Sequence, residues 1–134
     1  MNRTGKGSSQ REIEPLQVSR DSISIAGEPL AYPSTPSPEI SSFIVPIAPG
    51  TTTEWMTHPV PVYIYVLEGT LSVEFTDGSQ REFSAGQAFL QSRAKWHRGR
   101  NKGKVQARFL AVFCGAKDVP TVLHPPSPRR RSRR

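Results

Sequence analysis

The sequence predicts an all-β fold of short strands, arranged as a sandwich or barrel, and three observations carry that prediction. Thirteen prolines and ten glycines in 134 residues are too many for a helical bundle and suit strands joined by turns. No stretch sustains the 3.6-residue periodicity of an amphipathic helix. β-branched and aromatic runs instead recur at intervals of about 8–12 residues with turn residues between them.

The elements follow in order. "ISSFIVPIA" is an apolar run that ends at the Pro49-Gly50 turn signal. "VYIYVLEG" is β-branched and aromatic and stops at Gly69. In "TLSVEF", Leu71, Val73 and Phe75 alternate with Ser72 and Glu74, and Asp77-Gly78 then makes a hairpin turn. "QREF", "QAFLQ", "KWHRG" and "ARFLAVFCG" continue the series.

A chain of this length holds one domain with one core. Composition divides it into an unstructured N-terminal segment at 1–20, a domain at 21–124 and an exposed tail at 125–134. The first segment is polar and mixed in charge, and "HPPSPRRRSRR" is proline-rich and then basic; neither has the apolar surface to offset ordering. The net charge of +7 is local, because the five arginines of "RRRSRR" leave residues 1–128 with thirteen basic against eleven acidic residues. Such a tail suits nucleic acid or an acidic membrane surface. Without any accompanying reading motif, however, a solvated charged end is the expectation. Cys114 stands alone, so it forms no intramolecular disulfide and no cysteine-based zinc site; within "FLAVFCG" it reads as a small buried hydrophobe. The N-terminus lacks the apolar stretch of a secretory signal, and no run approaches the roughly 20 apolar residues of a membrane span. A soluble, reducing, cytoplasmic setting is therefore expected.

Strand alternation gives His58 a context. If its imidazole points inward, so do Val60, Val62, Ile64 and Val66, while Tyr63 and Tyr65 face the other way. His97 follows Trp96 in "KWHRGRN". Trp96, Tyr63 and Tyr65 offer stacking surfaces for a ring-shaped ligand, or simply pack. No carboxylate pair, Ser-His-Asp set, P-loop or dinucleotide fingerprint is present.

Two spaced motifs extend this reading. Gly50 is followed by five residues, Met56, Thr57, His58, three residues, Val62, six residues and Gly69. Gly86 is followed by five residues, Ser92, Arg93, Ala94, two residues, His97, three residues and Asn101. In spacing these resemble the two motifs of the cupins, and "HPVP" resembles a group of small cupins with His-Pro-x-Pro at that point. The resemblance covers roughly residues 27–123. It implies a single-domain jelly-roll barrel, or double-stranded β-helix, with His58 and His97 as neighbours on facing strands.

The departures from that pattern bear on function. The family's metal set is three histidines and a glutamate, and here Met56 stands at the first histidine and Val62 at the glutamate. His58 and His97 remain as metal ligands, and Met56, Val62, Gln91 and Trp96 are the expected pocket residues. A thioether is soft and suits copper, whereas hard ions want the missing carboxylate. The resemblance therefore implies one divalent metal or copper ion and no organic cofactor, a small-molecule ligand and a homodimer. Three readings stay open: a metal site, inherited histidines in a pocket that no longer holds metal, and a metal-free ligand pocket. If the chain is an enzyme, the resemblance implies metal-dependent oxygenation or isomerisation; the rival is a non-catalytic, metal-free ligand-binding or regulatory protein.

Overall fold

The computed structural model describes residues 13–126, so the expected tail beyond 126 and the first twelve residues lie outside the described residues. Seven strands form: β1 (Pro38–Ile47), β2 (Val62–Glu68), β3 (Thr70–Phe75), β4 (Gln80–Ser84), β5 (Ala88–Leu90), β6 (His97–Arg100) and β7 (Ala107–Ala116). No helix occurs among the described residues. Each strand falls on one of the runs that the sequence marks out.

The strands build two antiparallel sheets, ordered β1-β7-β2-β5 and β4-β3-β6. The second sheet is extended beyond β6 by bridges from Thr52 to Arg100 and from Met56 to His97, and then from Thr57 to Leu123. In β2, Val62, Ile64 and Val66 are buried against the opposite sheet while Tyr63 and Tyr65 are half-buried on the outer face, as alternation requires. Leu71, Val73 and Phe75 do the same in β3. Each such side chain removed from water contributes about 1.5–3 kcal/mol. A stack of Phe83 on Phe89, with ring centroids 3.9 Å apart, ties β4 of one sheet to β5 of the other.

Two expectations are corrected. Ser72 is fully buried although its phase points outward. It lies in the central strand of its sheet, paired with Glu82 and Arg100, whose long side chains flank it, and its hydroxyl donates to Glu82. Cys114 is half-buried rather than core, because Phe113 beside it takes the inward phase.

Gly69 is where the chain leaves one sheet for the other. Its φ of +73° lies in the left-handed region, and a Cβ there would stand 2.6 Å from the carbonyl oxygen of Gln106. Gly69→Ala is therefore expected to destabilise the fold by about 2–4 kcal/mol, read as a lower urea midpoint with unchanged slope. Wild-type stability in this variant would show that the turn relaxes freely. Asn101, also fully buried, ties the loop after β6 by donating to the carbonyls of Ile47 and Val105 and accepting from the Gly103 N–H.

Candidate functional site

The two sheets enclose a cavity of about 370 Å³. Its walls are mainly apolar, with Val62 and Ile64 from β2, Leu71 and Val73 from β3, and Phe109 and Phe113 from β7 among them. His58, His97, Met56 and Gln91 line the same space. Trp96 is absent from the lining and is half-buried elsewhere, a correction to the expected pocket. With His97 turned into the sandwich, its neighbour in an extended chain is directed away.

The histidines are held by backbone. His58 enters the site just after the Thr57–Leu123 bridge, and its N–H donates to the carbonyl of Arg93 at 2.9 Å. Its ring Nδ1 donates to the Thr121 carbonyl at 2.8 Å, and the His97 Nδ1 donates to the Lys95 carbonyl at 2.9 Å. A carbonyl oxygen only accepts, so both rings carry their proton on Nδ1 and present a bare Nε2 lone pair. Those two Nε2 atoms face each other at 3.0 Å. Two bare lone pairs at this distance repel, and either a proton shared between the rings or a metal ion beside both nitrogens relieves that.

Electrostatics run the same way. Burial pushes the His58 imidazole down to about 4, against the pull of the Thr121 carbonyl and helped by a charge on His97. Burial lowers His97 too, partly opposed by the Lys95 carbonyl and by Glu28. Near neutral pH both rings are therefore ready to coordinate.

A single ion at ordinary metal–imidazole bond lengths of about 2.0–2.1 Å from both nitrogens would subtend about 94° across their 3.0 Å separation, an angle metal sites accept. Two imidazoles, with the Met56 thioether lining the same cavity, are donors of the softer kind. They do not fit manganese or iron(II): Val62 is fully buried at the carboxylate position, and no group of three or more His, Cys, Asp or Glu side chains is placed to hold an ion among the described residues.

Sequence reasoning missed three participants. Thr121 fixes the His58 tautomer across 63 positions, which no local pattern reveals. His124, placed by the sequence at the junction of domain and tail and given no part in the site, lines the cavity and donates to the Trp55 carbonyl at 3.1 Å. The backbone pairing at Leu123, with Val122 packed on the core, holds this segment in place. Glu28 accepts from the backbone N–H groups of Arg93 and Ala94 at 2.7 and 2.8 Å, and so shapes the loop that carries the Arg93 and Lys95 carbonyls.

Two antiparallel sheets around a cavity with paired histidines define a small jelly-roll protein. The chain belongs to the cupin family, whose cupin domain model matches residues 43–113. Similar solved structures include an oxalate oxidase in complex with the substrate analogue glycolate, at 26% identity and a TM-score of 0.54, over 63% of this chain and 45% of that one. The polyketide cyclase RemF from Streptomyces resistomycificus matches at 26% identity and a TM-score of 0.54, over 63% of this chain and 59% of that one. An uncharacterised double-stranded β-helix protein from Klebsiella pneumoniae is 17% identical with a TM-score of 0.56, over 70% of this chain and 84% of that one, and shows the fold alone. The chain thus spans less than half the length of the oxalate oxidase. No curated protein matches it. No helix among the described residues is long and apolar enough to cross a membrane.

Proposed function

We propose that this cupin holds one copper or zinc ion through Nε2 of His58 and His97 and takes a small molecule into the cavity beside it. The facing lone pairs carry the reading: backbone carbonyls fix both rings in the tautomer that ligates. A bound ion would supply Lewis acidity or, for copper, redox chemistry. The protein supplies two oriented imidazoles and an apolar enclosure.

Calorimetric titration of copper(II) and zinc(II) into the protein tests this. One ion per chain is expected, with affinity at least about a hundredfold lower in His97→Ala, the upper end of what losing even an outer-shell partner costs. Because protons compete for the same nitrogens, and burial holds the His58 imidazole down to about 4, affinity should stay level through neutral pH and fall as the pH approaches that value. Absence of binding by the wild type would overturn the reading.

A second reading is favoured by one observation, the lack among the described residues of a third His, Cys, Asp or Glu side chain placed to ligate. On that reading the cavity binds its ligand without metal, as a regulatory or carrier cupin. Stoichiometric metal with substrate turnover, through oxygenation or isomerisation, separates the enzyme from the binding protein. A homodimer would use β1, which among the described residues pairs only with β7 and exposes Ile40, Phe43 and Ile44.

A further inference from the structure

The cavity carries more information about its ligand than the histidine pair does. Gln91 is only 8% exposed and stands between the cavity and a small cleft beside Glu28 and Arg93, lining both. Its Oε1 accepts from the Ser92 backbone N–H at 2.9 Å. An N–H can only donate, so this contact fixes the amide's orientation and leaves the Nε2 group as the remaining donor. That group has no hydrogen-bond partner among the described residues, and it is not sealed within protein either. A nearly buried amide donor left unpaired is costly and is met by a ligand or water.

The walls add the second constraint. Phe43, Phe109, Phe113, Ile64 and Val73 surround the space, and among the described residues no lysine or arginine lines it. A two-carbon dianion such as oxalate would fill little of about 370 Å³ and would lie against apolar walls without a cationic side chain. A larger apolar body fills the space and gains its desolvation.

We propose that the cavity takes a neutral, largely apolar molecule, of the aromatic ketone or ester kind, whose single oxygen acceptor is bound by the Gln91 amide Nε2. The inference rests on the cavity being the ligand site but not on the metal.

The test therefore uses protein dialysed against EDTA. Its affinity is measured for 2-acetylnaphthalene, for 2-ethylnaphthalene, which lacks only the carbonyl, and for oxalate. The ketone is expected to bind at least about tenfold tighter than the hydrocarbon, roughly 1.4 kcal/mol, with oxalate showing no saturable binding. In Gln91→Leu that preference should fall to about threefold or less, with the hydrocarbon bound as well as before. Equal affinity of the two naphthalenes for the wild type, binding of neither, a preference that survives in Gln91→Leu, or oxalate bound tighter than the ketone would each overturn the proposal. The wild-type comparison needs no variant to fold. Failure of the metal reading would appear only in the copper and zinc titrations, so the two are separable.

Discussion

Met56→His with Val62→Glu is expected to raise affinity for Mn²⁺ or Fe²⁺ by well over tenfold, about 1.4 kcal/mol or more. Both positions line the cavity beside the histidine pair, and Met56 is bridged through its backbone to His97. The change turns a soft, two-imidazole site into the mixed imidazole and carboxylate set that hard ions prefer. Val62 is 1% exposed, so the new carboxylate is buried, and without metal it protonates or destabilises the fold. The double variant should therefore be less stable than wild type without metal and should recover stability as Mn²⁺ is added. Calorimetry with each ion reads the affinity, and thermal melts read the recovery. Tight Mn²⁺ binding by the wild type would mean that the ligand set is other than His58 and His97. No gain in the double variant would mean that the apolar wall around Val62 closes the site to hard ions.

The strands were legible because alternation of apolar and polar residues is a local property. Val62, Ile64 and Val66 reveal their face in five consecutive positions, and Gly69 and Gly78 mark turns that only positive φ allows. The pairing of His58 with His97 was legible only through spaced motifs, since the two are separated by 39 positions. What stayed hidden was long-range and backbone-mediated. The Thr121 carbonyl that orients His58, and the carboxylate of Glu28 that holds the Arg93 N–H from 65 positions away, use groups common to any loop. Trp96 was placed in the pocket by adjacency to His97, where adjacency along a strand argues for the opposite face. The size of the cavity was hidden too, because it depends on how far apart the sheets stand.

Glu28→Ala is expected to lower stability by about 2–4 kcal/mol and to weaken copper or zinc binding, although Glu28 does not line the histidine cavity. One carboxylate oxygen accepts from the Ser24 hydroxyl at 2.8 Å and the Arg93 N–H at 2.7 Å, and the other accepts from the Ala94 N–H. The loop so held presents the Arg93 carbonyl to the His58 N–H and the Lys95 carbonyl to the His97 ring. Partial burial raises the Glu28 carboxyl, but the Arg93, Ser24, Ala94 and Lys95 hydrogen bonds outweigh it and hold the group below its ordinary value of 4.5. Its contribution is therefore complete above pH 4.5 and is lost as the pH falls through the lowered native value. His58 acts in a different window. With its native value near 4 against 6.5, the unfolded chain binds the extra proton between those limits, so metal-free stability declines from pH 6.5 toward 4. Chemical denaturation across pH should show both declines in the wild type and only the upper one in Glu28→Ala. Glu28→Gln keeps one acceptor oxygen, and its stability should lie between the two. A Glu28→Ala protein with wild-type stability and metal affinity would show that the Arg93–Lys95 loop holds the histidines unaided.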